Sequence, residues 1–404
     1  METAAGIRRQ NRFQVLRAIH ADPMPTRKSI AGQTDLSQAT VTSIVGELIA
    51  GGVVCEVAIR RQPAGRPTAQ LALNPNCGVL LGVDIAETYV HVEVFDTSLT
   101  SLAATEFELH GSRTSPRLVT DRVREAISQA AASQVIEGRQ ILAVGVSAPG
   151  QVDQVGGTSV FAPNWDWHDV PLREMLAGAV EAPIVLDNPL KAQAIAELWA
   201  NGGGCVEDLV VLNVGTGVGA GIAINRQLFR GSTNSAGEWG HTVLVADGRP
   251  CRCGSRGCIE AYVGAPGIVE TLREIAPTSP ILGGDQTAVL RSLRTAIDAG
   301  DEAALLALER TGRYLGIAIA NVVNMLNPQK VVLGGWVART LGDRLLEAAR
   351  PSIKAHALPT PLDAAEIVMQ RLPGNPVSLG AATIALEQFL DSITDVTRPA
   401  DAPR

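Results

Sequence analysis

The chain has 404 residues, 46% of them hydrophobic and 19% charged, with a formal net charge of −7. That length allows two or three domains with sizeable cores, and the mix excludes a disordered or collagen-like chain. No apolar run approaches the length of a membrane span and no signal-like segment opens the chain, so the expected setting is the cytoplasm, with no membrane partner. Aromatic residues at 3% leave little for base stacking, which argues against single-stranded nucleic acid. The charge is uneven: up to residue 70 there are nine Lys and Arg against five Asp and Glu, a net +4, and the remainder carries −11. A basic end on an acidic body predicts that only the N-terminal piece meets a polyanion.

In chain order, residues 11–20 predict a helix with Asn11 as its cap and Phe13, Leu16 and Ile19 on one side, and a second short helix follows Thr26. A third begins after Ser37, with Val41, Ile44, Val45, Leu48 and Ile49 spaced as one apolar face, and it ends at Gly51 and Gly52. Its opposite face carries Gln38, Ala39, Thr42 and Ser43, which are small or hydrogen-bonding. That suits a helix entering a major groove. Two strands around the sequence QPAG then form a hairpin whose tip carries Arg60, Arg61 and Arg66. Three helices and a hairpin make a winged helix-turn-helix, and the partner it implies is double-stranded DNA.

From Gly78 the pattern changes to α/β. Three successive strands, a helix over about 116–132 and the strand ILAVGVSAPG form a first lobe. A related pattern after about residue 208 forms a second, and SLGAATIALEQFL is a final helix returning to the first lobe. The expected domains are therefore 1–75, 76–200 with 376–391, and 201–375, with 392–404 a disordered tail.

Four residues carry the sharpest chemical signal. His241, Cys251, Cys253 and Cys258 lie within GHTVLVADGRPCRCGSRGC. One imidazole and three thiolates suit tetrahedral zinc with no position open to water, hence a structural site; the alternative is a set of free thiols. The sequence GTGVGAGI, after an apolar strand, fits an anion-binding loop and a hairpin turn equally well. Asp84 ends a strand where a phosphate loop would continue with glycines, but Ala86 and Glu87 follow. A carboxylate there repels a triphosphate, and side chains obstruct backbone approach.

Together these pieces resemble the ROK family of repressors, open reading frames and sugar kinases, over about residues 8–390. The stretch AGEWGHTVLVADGRPCRCGSRGCIEAYVG is similar to the family's signature region. The resemblance implies a two-lobed actin-like (ribonuclease H-like) ATPase-superfamily fold. The winged helix ahead of it resembles the repressor branch, as in xylose and N-acetylglucosamine repressors, and AGRP followed by LALNP resembles their wing, placing Arg66 in a minor groove. Zinc ligands are implied at His241, Cys251, Cys253 and Cys258, and sugar contacts at Asn164, Asn188, Glu238, His241 and Glu260. Zinc on one nitrogen of His241 leaves the other for the sugar.

The family's kinases carry a glutamate-asparagine-aspartate run at the strand-to-helix corner, with the aspartate as general base. Here the corner reads Asp187, Asn188, Pro189, and proline has no proton acceptor in its side chain. Lys191 also replaces a residue that is commonly asparagine. The reading is a sugar-responsive regulator, most simply a repressor, that has lost kinase chemistry and does not use ATP. It would bind a palindromic operator as a homodimer or homotetramer, with a sugar or sugar phosphate between the lobes. The alternative is an ATP-dependent sugar kinase with an accessory DNA-binding domain.

Overall fold

The computed structural model describes residues 4–60, 68–109, 115–200 and 206–396. The hairpin-tip residues Arg61 and Arg66 and the tail from residue 397 lie outside them, so the wing arginine of the sequence reading has no described position. Helices α1 (Ala4–Ala21), α2 (Arg27–Thr34) and α3 (Gln38–Ala50) lead into the strands β1 (Val54–Arg60) and β2 (Thr68–Leu73). Next come β3 (Val79–Ile85), β4 (Tyr89–Asp96), β5 (Ser101–Glu108), α4 (Pro116–Ala131) and β6 (Ile141–Ser147). They are followed by β7 (Gln151–Asp153), β8 (Thr158–Ala162), β9 (Trp167–Val170), α5 (Leu172–Leu176), β10 (Ile184–Asp187) and α6 (Pro189–Ala200). The next stretch holds β11 (Leu209–Val214), β12 (Val218–Ile224), β13 (Gln227–Leu228), α7 (Glu260–Val263), α8 (Ala265–Ile275), α9 (Gln286–Ala299) and α10 (Glu302–Leu326). After these come β14 (Lys330–Gly334), α11 (Trp336–Leu341), α12 (Asp343–His356), α13 (Pro359–Ala364), β15 (Glu366–Met369) and α14 (Pro376–Val396).

The chain divides into two compact units, residues 1–205 with 374–404, and residues 206–373. Each is built on a five-stranded sheet of one design. In the first the order is β10-β6-β3-β4-β5, and in the second β13-β12-β11-β14-β15. In both, the first three strands of the unit's sheet run antiparallel in succession, and the last two add in parallel on the other side of the first. This repeated mixed sheet is the ribonuclease H-like lobe that the resemblance implied. No helix of the described residues is long and apolar enough to cross a membrane.

The winged helix forms as its local signals direct. Thr26 and Ser29 close a capping box at the start of α2, and the Ser37 hydroxyl accepts from the Thr40 N–H at the start of α3. Val41, Ile44, Val45 and Leu48 are buried. The expectation of a cap at Asn11 is corrected: α1 begins at Ala4 and Asn11 lies inside it. Nothing between Ala4 and Asn11 breaks a helix, and the added turns are held by Arg8 paired with Glu47 and by Arg9 3.0 Å from Asp391. The last helix, α14, runs to Val396, so residues 392–396 are helical rather than part of the disordered tail that was expected.

The winged helix is not a tethered bead. Its core of Val15, Leu16, Ile19, Ile30, Val41, Ile44 and Leu48 runs without a break into Leu80, Phe95, Leu142, Trp199, Leu386 and Leu390 of the first sheet, α6 and α14. Polar contacts fix the join: Arg12 Nη1 donates to the Leu390 carbonyl (2.8 Å), and Thr97 Oγ1 donates to the Asn74 carbonyl (2.6 Å). On this face of the sheet, α14 approaches backbone to backbone. A Cβ on Gly145 would stand 1.9 Å from the Ala381 oxygen, and one on Gly380 1.7 Å from the Ala192 oxygen. Glycine is required at both positions so that α14 can reach β6 and α6.

Candidate metal, ligand and DNA-binding sites

The candidate metal-ligating residues come from a short turn and a compact loop. Trp239–His241 form a 3-10 turn, anchored because the buried Trp239 donates its Nε1–H to the Ala318 carbonyl of α10 (3.2 Å). The loop folds back on itself through the bridges Val243↔Cys258 and Pro250↔Arg256, and the Cys251 N–H donates to the Ser255 carbonyl (2.8 Å). Gly257, at φ +76°, allows the return, since a Cβ there would meet the Val245 oxygen at 1.8 Å. The result gathers His241, Cys251, Cys253 and Cys258 so that their ligand atoms all lie within 4.8 Å of one another.

The spacing fits a tetrahedral ion. Bonds of about 2.3 Å to sulfur and about 2.05 Å to nitrogen set tetrahedral edges of roughly 3.8 Å between sulfurs and roughly 3.6 Å between nitrogen and sulfur. Cys253 Sγ and Cys258 Sγ are 3.8 Å apart, and His241 Nδ1 is 3.6 Å from Cys251 Sγ. Burial pushes the Cys251 thiol up to about 12 and raises Cys258 as well. A divalent cation supplies the positive charge that makes thiolates stable in such a place. The set can therefore hold a metal ion such as zinc.

Glu238 and Glu260 flank this cluster. The Glu238 carbonyl accepts from the His241 N–H (3.0 Å) and so opens the 3-10 turn. Glu260, buried at the start of α7, accepts the Val218 N–H on Oε2 (3.0 Å). Its Oε1 lies 3.6 Å from Arg252 Nη2 and 3.9 Å from Cys251 Sγ. The same Arg252 donates to the Thr216 carbonyl (2.9 Å). Glu260 and Arg252 thus tie the cysteine loop to the GTGVGAG segment, a tie the sequence did not display. Gly215 to Gly217 of this segment form the turn joining antiparallel β11 and β12, with the Gly215 N–H donating to the Gly217 carbonyl (3.0 Å), and the residues from Val218 on belong to β12.

Asn164 and Asn188 belong to the first unit. Asn188 sits at the corner between β10 and α6, is 3% exposed, and accepts the Lys191 N–H on its side-chain oxygen (3.0 Å). It therefore caps α6, and Pro189 takes the first helical position, where its missing N–H costs no bond. Asp187 accepts the Asn188 N–H on Oδ1 (2.9 Å) and Gln154 Nε2 on Oδ2 (3.5 Å). Asn164 lies in the turn between β8 and β9, and its Nδ2 donates to Glu87 Oε1. Asp84 accepts the Tyr89 hydroxyl (3.0 Å) and Asn375 Nδ2 (2.9 Å) on one oxygen, and Asn375 in turn caps α14. Glu87 and Asn375 are the residues at this site that sequence reasoning did not place. Glu87 is read there only as an obstacle to phosphate, and its partner lies 77 residues away.

On α3, Gln38, Ala39, Thr42 and Ser43 are all exposed, on the face opposite the buried one. Thr42 Oγ1 donates back to the Gln38 carbonyl (2.7 Å), which leaves the hydroxyl oxygen as an outward acceptor. Ser43 Oγ is 3.4 Å from Glu47 Oε1.

Comparison with known proteins matches both parts of the chain. Residues 8–54 match the winged helix-turn-helix DNA-binding family and residues 80–388 the ROK family. The xylose repressor of Caldicellulosiruptor bescii is 29% identical over 393 residues, covering 94% of this chain and 96% of its own. A ROK family transcriptional regulator described as a homologue of the E. coli MLC protein shares the fold with a TM-score of 0.77 at 24% identity, over 96% of this chain and 97% of its own. The ROK family glucokinase of Streptomyces griseus, solved with glucose and AMPPNP, is 29% identical with a TM-score of 0.67. It covers 76% of this chain and 99% of its own. The similarity to repressors spans both domains, and the similarity to the kinase is confined to the second. The chain belongs to the ROK family, in the form that carries a winged helix-turn-helix DNA-binding domain ahead of the ROK domain.

Proposed function

We propose that this protein is a sugar-responsive transcriptional regulator, a repressor of genes for carbohydrate uptake or catabolism, in which the kinase site has become a sensor. The observation that carries the reading is helix α6. Its first turn is capped by Asn188, with proline where a kinase needs its base. Its last turn carries Trp199, whose ring packs against Phe13 (centroids 5.7 Å apart) and His20 (4.8 Å) of α1 in the winged helix. A helix of 12 residues is about 18 Å long and moves as a rod. Sugar bound at Asn188 is thereby joined mechanically to the DNA-binding domain.

In this reading Asn164, Asn188, Glu238, His241 and Glu260 contact the sugar. Amides and carboxylates take hydroxyl hydrogen bonds in pairs, which suits a polyol. Zinc on His241, Cys251, Cys253 and Cys258 is structural: with Nδ1 on the metal side, Nε2 of His241 is the end that meets the ligand. The protein binds a palindromic operator through two copies of α3, as a homodimer or a homotetramer. In this reading Asp187 does not replace the missing base; its Oδ1 holds the Asn188 N–H at the corner (2.9 Å).

DNA captured from a fragmented source genome by the full-length protein, at near-physiological salt, should contain a discrete palindromic site, and a sugar should change its affinity. Diffuse, salt-sensitive binding alone would overturn the regulator. Arg66→Ala should weaken operator binding about tenfold across sequences, as loss of a minor-groove cation does; unchanged affinity would remove Arg66 from the wing contact. Glu260→Gln should abolish the sugar response while leaving operator affinity intact, and a normal response in that variant would exclude Glu260 from the sensor. The similarity to a glucokinase keeps a second reading in view, a sugar kinase with an accessory domain. A coupled assay for ADP across a sugar panel decides it: no turnover is expected.

A further inference from the structure

We propose that Arg12 is a positioning residue for DNA recognition, which fixes the set of α3 by joining Glu47 on that helix to the end of α14. The inference deepens the reading of α3 as the DNA-contacting helix and rests on it. Glu47 is the only charged residue of α3. It follows Ser43 by four positions, so it lies one turn further along the same ridge. A carboxylate on a helix that meets phosphates is repelled by them. The contacts of Glu47 lie within the protein instead.

Its Oε1 pairs with Arg8 of α1, and Ser43 Oγ lies 3.4 Å from the same oxygen. Its Oε2 lies 3.7 Å from Arg12 Nε. Arg8 is exposed, whereas Arg12 is buried. A buried guanidinium needs partners, because taking its charge out of water is costly. Arg12 finds them on two helices. Its Nη1 donates to the Leu390 carbonyl of α14 (2.8 Å) and lies 3.9 Å from Asp391 Oδ1. Its Nε is the end that meets Glu47 on α3. The guanidinium carries its donors in a rigid planar fork, so one group can hold two helices at a set spacing. A lysine ammonium is a single point on a flexible stem and cannot.

The joint is charged but not closed. Arg12 Nε and Glu47 Oε2 are both buried, and neither atom has a hydrogen-bond partner among the described residues. At 3.7 Å they form an ion pair without a hydrogen bond. A shift of roughly 0.8 Å between α1 and α3 would close it. The far end of α14 is anchored in the lobe. Asn375 caps its first turn and donates Nδ2 to Asp84 Oδ2 (2.9 Å), and Ser378 Oγ donates to Glu93 Oε2 (2.5 Å). A helix of 21 residues is about 32 Å long. Through Arg12 the set of α3 is therefore referred to the first sheet as well as to its own small domain. Arg9 also joins α1 to α14, 3.0 Å from Asp391 and 4.0 Å from Glu387. Among the described residues it has no ion pair with α3.

The test uses the full-length protein, the operator captured from its source genome and a scrambled duplex of the same length. The quantity read is the ratio of the two affinities at one salt concentration. Glu47→Gln keeps the shape of the side chain and removes a negative charge from α3. Charge alone would tighten both duplexes alike and leave the ratio unchanged. A positioning role instead weakens the operator while the scrambled duplex binds at least as tightly, so the ratio should fall by about tenfold or more. Arg12→Lys keeps the buried charge and loses the bridge, and its ratio should fall to the same extent. Arg9→Gln breaks the neighbouring pair between α1 and α14; it should weaken both duplexes alike and hold the ratio within about threefold. A winged helix that is merely loosened also loses both affinities together, which the ratio does not register. Should Arg12→Lys fail to fold, Glu47→Gln decides by itself. An unchanged ratio in Glu47→Gln overturns the proposal, and so does an equal fall in Arg9→Gln. If the genome yields no discrete operator, the regulator reading itself fails, and this inference falls with it.

Discussion

Removing the metal by chelation, or replacing one ligand in Cys253→Ser, is expected to lower the melting temperature by about 10 °C and to abolish one bound zinc per chain. The reason lies in how little else holds the cysteine loop. His241, Cys251 and Cys253 are only half-buried, and Val243 beside them is 58% exposed, so the loop has little apolar burial of its own. Its internal bonds are the two isolated bridges and a few turn hydrogen bonds. Zinc binding in small peptides is worth about 10–16 kcal/mol because the whole fold depends on it. Here the second unit keeps a large core around β11, β14 and α10 without the metal, so only the loop and what it braces are lost. A loss of roughly 3–4 kcal/mol, at about 2–4 °C per kcal/mol for a unit of this size, gives the expected shift. What it braces includes Glu260 and, through it, the β11–β12 turn. The sugar response should therefore disappear before the fold does. Metal content by mass spectrometry alongside a melting curve checks the point: zinc removed with no change in melting would mean that the four ligands do not support the loop.

Trp199→Ala should lower stability by about 3–5 kcal/mol, the range for truncating a buried tryptophan. Trp199 is 2% exposed and lies where α1, α6 and α14 meet in one continuous core. Its loss leaves a cavity on both sides of the join, so the winged helix should loosen with the lobe. Urea unfolding measures the first effect. Trp199→Phe separates stability from signalling, because it keeps an aromatic ring for Phe13 and His20 but shortens the reach of α6. That variant should bind operator in the absence of sugar and respond to sugar weakly. A full response in Trp199→Phe, together with unchanged unfolding in Trp199→Ala, would show that α6 neither supports nor addresses the DNA-binding domain.

Several elements were legible because their information is local. The apolar spacing of α3, its Ser37 cap and its glycine stop lie within about four turns of chain, and the structure forms that helix with that face buried. The strand, Asn188 cap and Pro189 of the β10–α6 corner are contiguous, and each residue type favours its own position there. The four candidate metal-ligating residues are bunched in sequence, and tight turns at glycine bring them together. Where local signals were read too narrowly the result was wrong by a turn or two: α1 starts seven residues before Asn11, because ion pairs with Glu47 and Asp391 extend it.

By itself, then, the sequence determined the winged helix, the repeated α/β pattern, the cluster of one histidine and three cysteines that could hold a metal, and the proline that follows the Asn188 cap, all of them carried by residue type and short spacing. Only the tertiary structure decided which distant groups meet. Glu87 pairs with Asn164, 77 residues away; Asp84 is held by Asn375, 291 away; Arg12 reaches Leu390, 378 away. Such contacts follow from strand order and from the closeness that Gly145 and Gly380 allow between α14, β6 and α6. Periodicity reports which face of an element is buried, but the neighbour that covers it is chosen by the packing of the whole unit.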